Sequence, residues 1–273
     1  RKDGATHYNE VVLRALAIGW SRDTVGSHVV RNNVIHDCEQ GGIVGSLGAV
    51  FSRIENNHIY DVWKKRQFTG AEMGGIKLHA AIDVVIQGNR IHHAGRGLWM
   101  DWMAQGTRIT GNVLYANTTD DLFVEVNHGP FVVDNNVFLS EVSLRDWSEG
   151  GAYVHNLFGG TIVSQPEPRR STPYHKAHST AVAGLDSTTG RDDRFLNNVF
   201  IGGGVWVYNH REFPLQTGGN VYVSGARKYF AEKDAASVDG ERVVLSEDGR
   251  LRWPGFTNSS ARLVTGEVLG KAK

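Results

Sequence analysis

Two acidic residues, Asp101 and Glu125, close segments of the same character, Leu98-Trp99-Met100-Asp101 and Leu122-Phe123-Val124-Glu125. Leu98 lies 14 residues before Asn112, and Leu122 lies 14 before Asn136; Ile43 is 14 before Asn57 and Ile76 is 13 before Asn89. Read as strands, these segments share one register. Ile43, Ile76, Leu98 and Leu122 point inward, and Gly45, Leu78, Met100 and Val124 are the next inward residues. Alternation then turns Val44, Lys77, Trp99 and Phe123 outward, followed by Ser46, His79, Asp101 and Glu125. Adjacent parallel strands lie ~4.8 Å apart, so the two carboxyls are expected ~5 Å from each other. Retaining glycosidases hold their acids ~5–5.5 Å apart, and inverting ones ~6.5–9.5 Å apart. The spacing therefore predicts double displacement through a covalent glycosyl-enzyme intermediate.

The neighbours suit that chemistry. Trp99 and Phe123 flank the pair, and Trp102 is close in sequence. Aromatic rings match the apolar faces of sugars and lower local hydration. Two close carboxyls resist ionising together, so one is pushed up and becomes an acid. Lys77 and His79 lie one coil away and can keep the other ionised. Spacing alone assigns neither role. A solvated surface acid is the plain alternative for either residue, but stacked like charges are destabilising, which argues against decoration.

An asparagine repeat must position these groups. Asn followed by two mostly aliphatic or aromatic residues recurs at Asn33, Asn57, Asn89, Asn112, Asn136, Asn156, Asn198 and Asn220, at intervals of 24, 32, 23, 24, 20, 42 and 22. Four of these are the second Asn of a pair, as in Asn32-Asn33 and Asn56-Asn57. Units of this length indicate a solenoid. A leucine-rich repeat lacks its L-x-x-L-x-L consensus here. Stacked Asn side chains can hydrogen-bond from coil to coil, so the expected fold is an all-β, right-handed parallel β-helix. The competing fold is a sandwich with regular turns. The helix is expected over residues 1–225, with a short helix at Tyr8–Ala17, and residues 226–273 lose the repeat. The long intervals locate insertions at Trp63–Gly70 and, as a charged Pro-containing loop rather than an extra coil, at Gln165–Arg170. Insertions of this kind often line a binding face.

Composition removes other classes. Lys plus Arg and Asp plus Glu both number 29, giving zero formal charge, so nothing advertises nucleic acid or an anionic membrane. No apolar run approaches the ~18 residues of a membrane helix. Cys38 is the only cysteine, which excludes an intrachain disulfide and a thiolate metal cluster. The chain opens Arg1-Lys2-Asp3 with no apolar run, so no signal peptide is visible; the compartment is left open, with the cytoplasm favoured. A homo-oligomer is also left open. No His-x-x-x-His pair occurs, and no metal spacing is present. Gly41-Gly42 and Gly202-Gly203-Gly204 read as turns. Arg170, Tyr174, His175 and His178 form a polar stretch that is either structural or closes over a ligand.

Three segments carry a family resemblance: Gly70-Ala71-Glu72-Met73-Gly74-Gly75-Ile76-Lys77-Leu78-His79, Leu98-Trp99-Met100-Asp101-Trp102-Met103-Ala104-Gln105-Gly106-Thr107-Arg108, and Phe123-Val124-Glu125-Val126-Asn127-His128-Gly129-Pro130. They resemble the β-xylosidases of glycoside hydrolase family 120, over roughly residues 20–225 and including Thr172-Pro173-Tyr174-His175. The resemblance implies a retaining, exo-acting β-1,4-xylosidase that takes xylo-oligosaccharides and needs no cofactor or metal. It makes Asp101 the nucleophile, Glu125 the general acid/base and Glu72 a ligand of the non-reducing-end xylose. Lys77, His79, Trp99, Trp102, Asn127 and His128 join the candidate substrate-binding set. Family members are about twice as long, with further N-terminal coils and a small β-sandwich that contributes to the pocket. On that pattern this stretch is expected to have an incomplete subsite and an uncovered end coil. Two other functions are weighed: a polysaccharide lyase, in which the acids bind Ca2+ and Lys77 or an arginine abstracts the proton, and a non-catalytic carbohydrate-binding solenoid.

Overall fold

The computed structural model describes residues 4–67 and 73–238, together with the short strands Val244–Leu245 and Leu251–Arg252. Short parallel strands stack into three sheets of eight, nine and six strands. The chain visits the sheets in turn, one strand per sheet per coil. This is a parallel β-helix, as the asparagine period requires.

The asparagines stand at the turn between the first two sheets. Asn33 Nδ2 donates to Asn57 Oδ1 at 2.9 Å, and the relay continues through Asn89, Asn112, Asn136, Asn156 and Asn198 to Asn220, each step 2.9–3.1 Å. Each acceptor also takes the backbone N–H of the preceding rung, as Asn112 does from Asn89. The residue before each asparagine is left-handed: Asn32, Asn56, Asn135, His155 and Asn197 have φ of 54–59°, and Gly88, Gly111 and Gly219 have 64–69°. Asparagine and glycine tolerate that region best, which explains the Asn-Asn and Gly-Asn pairs.

Inside, aliphatic columns fill the bore, with Ile54, Ile86 and Ile109 from the first sheet and Ile59, Ile91 and Leu114 from the second. Later coils exchange these for rings. Phe138, Phe158, Phe200 and Tyr222 stack at 5.2–5.4 Å.

The third sheet carries the acids. Its strands are β1 (Gly41–Gly45), β2 (Gly74–His79), β3 (Arg96–Asp101), β4 (Asp120–Glu125), β5 (Val142–Trp147) and β6 (Thr161–Ser164). Ile43 pairs with Ile76, Ile76 with Leu98, and Leu98 with Leu122, the register that the sequence predicts. In the 42-residue interval there is no extra coil. Gly151–Val154 pairs directly with Arg194–Leu196, and an antiparallel hairpin of β7 (Glu167–His175) and β8 (Val182–Thr188) is inserted between. The segment expected as a loop is thus ordered by strand pairing.

Helix α1 (Gly4–Ala17) packs Val12 into a second cluster with Trp20, Val50, Ile82, Trp102 and Val126. The repeat also runs past residue 225, since Ala235–Val238 pairs parallel with Asn220–Val223. Among the described residues no helix is long and apolar enough to cross a membrane.

Candidate active site

Asp101 ends β3 and Glu125 ends β4. Trp99 pairs with Phe123 and Met100 with Val124, so the two acids follow at equivalent positions of adjacent coils. His79 pairs with Asp101, and Glu125 with Trp147, which completes the outward column. The next residue in each strand turns sharply. Ala80, Trp102 and Val126 have φ of 52°, 36° and 48°, and such backbone persists in non-glycine residues only where packing enforces it. Here the second apolar cluster does so, because it buries all three.

Both acids are nearly buried, at 8% exposure each, and their partners differ. Lys77 Nζ and His79 Nε2 each lie 2.9 Å from Asp101 Oδ2. Burial pushes the Asp101 carboxyl up, but the His79 bond and the Lys77 charge outweigh it, and the group is held below the ordinary aspartate range. Burial and the Asp101 charge push Glu125 up; Arg170 and the Trp99 N–H oppose this and are outweighed. One carboxyl is thus biased toward its anion and the other toward its acid, the division that acid–base and nucleophilic work needs.

Trp99 is held on both faces. Lys77 Nζ lies 3.6 Å from its ring centroid and Phe123 stacks at 5.4 Å. What it offers the site is its edge, with Nε1 donating to Glu125 Oε2 at 2.9 Å. Behind it, Asp120 binds Arg96 at 2.5 Å and Arg145 at 2.9 Å, and Arg96 lies over both Trp99 and Phe123. Trp102 instead packs beneath α1, with Tyr8 5.0 Å from it and 4.9 Å from His79. Asn127 is committed to the backbone: its Nδ2 donates to Met100 O at 3.0 Å and its Oδ1 accepts from Ala104 N at 3.1 Å.

His128 Nε2 lies 2.7 Å from Thr172 Oγ1, and its ring meets Tyr174 edge-on at 5.9 Å. Beside it opens a cavity of about 430 Å3 whose walls include Glu149, Tyr174, Asp186 and Arg191. Burial raises the Glu149 carboxyl, but His128, the Thr189 N–H and Arg191 bring it down to about 2. Glu72 lies outside the described residues.

The structure therefore gathers Lys77, His79, Trp99, Asp101 and Glu125 at one site, with His128 three residues further along the chain. Trp102 and Asn127 support the adjoining turns. Sequence reasoning missed Tyr8, which no repeat position marks, and Glu149, which lies just past β5 at the coil position of Asn127. Arg170, flagged only as part of a polar stretch, has Nη2 2.6 Å from Glu125 Oε1. Among the described residues no three His, Cys, Asp or Glu side chains converge in a way that could hold a metal ion.

Comparison with known proteins agrees with this architecture. No curated protein matches the chain. Among solved structures, the complex of XylC with xylose superposes with a TM-score of 0.87 at 42% identity, over 93% of this chain. The match covers 45% of the XylC chain, so this sequence spans less than half of that protein's length. Residues 14–164 match the right handed beta helix region. The chain belongs to that right-handed β-helix family.

Proposed function

We propose that this protein is a retaining, exo-acting β-xylosidase that releases xylose from xylo-oligosaccharides. One observation carries the reading: Asp101 and Glu125 occupy the same register position on adjacent strands, with partners that bias them in opposite directions. Adjacent strands place such groups ~5 Å apart, the separation that double displacement uses. A xylose-bound neighbour at 42% identity supports the sugar class.

In this mechanism Glu125 protonates the glycosidic oxygen while the Asp101 carboxylate attacks the anomeric carbon. The bond to the leaving oxygen breaks and a glycosyl-Asp101 ester forms. Glu125, now ionised, takes a proton from water as that water attacks the same carbon, which frees Asp101 and restores the acid. Lys77 and His79 keep Asp101 anionic beforehand, and Trp99 orients Glu125. The test is the anomer first released from an aryl β-xyloside by the full-length protein, followed by proton NMR. β-Xylose should appear first; α-xylose first refutes the reading.

A further inference from the structure

Arg170 reaches Glu125 from an element that the repeat does not need. The hairpin of β7 and β8 interrupts the solenoid between two directly paired coils, and it is pinned at several points. Gln105 Nε2 donates to His175 O at 3.0 Å, and the His175 N–H donates back to Gln105 Oε1 at 2.8 Å. Thr172 meets His128, and Thr188 Oγ1 donates to Trp147 O at 2.9 Å. From α1, Asn9 Nδ2 donates to Ser171 O at 3.1 Å, next to Arg170 in sequence. The backbone that carries Arg170 is therefore fixed on both sides.

Among the described residues the guanidinium meets Glu125 Oε1 at 2.6 Å, Glu167 Oε2 at 3.9 Å and the Trp147 ring centroid at 5.9 Å. Around Glu125, β2 supplies Lys77 and His79, but both are engaged with Asp101. From β3, Asp101 repels a second negative charge, Arg96 is paired with Asp120, and Trp99 contributes a neutral donor. From β7 come Arg170 and Glu167. Among the described residues Arg170 is thus the cation within ion-pair distance of Glu125. The two half-reactions need Glu125 neutral and then anionic, and an adjacent cation favours the anion.

We propose that Arg170 is a positioning residue that sets the proton affinity of Glu125, trading some acid strength in the first step for an available base in the second. Glu167 moderates it by sharing the guanidinium. The inference rests on Glu125 being the acid/base of the proposed reaction.

The experiment is the pH profile of kcat/KM for an aryl β-xyloside, measured on the full-length protein and its variants. The alkaline limb reports loss of the Glu125 proton in the free enzyme. Arg170→Gln should move that limb upward by about one pH unit, and Arg170→Lys should restore most of the difference. Glu167→Gln leaves Arg170 in place without its second carboxylate, and should move the limb downward. A merely structural arginine would lower the rate at every pH and leave the limb where it is. That result in Arg170→Gln overturns the inference; if this variant does not fold, an unmoved limb in Glu167→Gln overturns it. Wild-type protein that releases α-xylose first would overturn the double-displacement reading itself, whatever the variants do.

Discussion

Two columns of stacked polar side chains run along this solenoid, and they solve the same geometric problem differently. At the first turn, coil after coil presents asparagine. At the end of the third sheet, neighbouring coils present Asp101 and Glu125. An amide carries both a donor and an acceptor, so copies ~4.8 Å apart satisfy one another. The column from Asn33 to Asn220 is satisfied by its own amides and the backbone beside them, until it ends on Glu232. A carboxylate only accepts, so two of them at that spacing repel. The acid column persists because Lys77, His79, Trp99 and Arg170 surround it. A neutral stack that closes on itself is architecture; a like-charged stack that needs outside partners marks a site.

The largest effects should come from the acids. Under the proposed mechanism Glu125→Gln lowers kcat on unactivated xylosides by about 10²–10⁴-fold. Its thermal midpoint should hold or rise, because a neutral amide at this position ends the repulsion with Asp101. Asp101→Asn should abolish turnover and carry a stability cost of ~3–5 kcal/mol, since it breaks the buried ion pair with Lys77. Steady-state rates and thermal melts of the two variants separate these cases. Equal stability losses would mean that the two acids are not held in opposite senses.

The amide column should respond in the reverse way. Asn112→Ala removes the acceptor for the Asn89 backbone and side-chain N–H groups, and the donor to Ile86 O. Orphaned buried groups cost ~1–3 kcal/mol each, so denaturant unfolding should show a loss of about 3 kcal/mol. Turnover of the remaining folded protein should be unchanged. A variant that keeps its stability would show that the ladder contributes little.

Both columns were readable in the sequence for one reason: a solenoid places equivalent residues at equal intervals. Counting back from each asparagine gave the strand register, and the left-handed residue before it explains the Asn and Gly that mark it. The walls of the site had no such signal. Glu167–His175 contains Pro168 and Pro173, which weaken any strand reading, although a two-stranded hairpin at the surface accommodates them. Arg170 and Tyr8 reach the site through docking of an inserted and a terminal element, which no interval encodes. Trp99 shows the opposite limit. Its position was legible, but the covering of both its faces by Lys77 and Phe123 depends on neighbouring coils.

The smallest test lies where the neutral ladder meets a carboxyl. Asn220 Nδ2 donates to Glu232 Oε1 at 2.8 Å, and Tyr222 OH donates to Glu232 Oε2 at 2.6 Å. Burial pushes this carboxyl above the ordinary glutamate range despite those bonds. A raised native value means that the folded state holds the proton longer than the unfolded chain does. Its contribution to stability is then fully present below the ordinary value near 4.5 and is lost as pH rises through the raised one. Asp101 has the opposite sign, because its depressed value makes stability fall as pH drops. Glu232→Gln keeps an acceptor for Asn220 and cannot ionise. Its unfolding free energy, measured from pH 4 to pH 8 (roughly the window of a raised carboxyl), should decline less steeply than that of the wild type. Parallel curves would mean that Glu232 ends the ladder as an anion, and that the amide column tolerates a charge at its terminus as the acid column does in its middle.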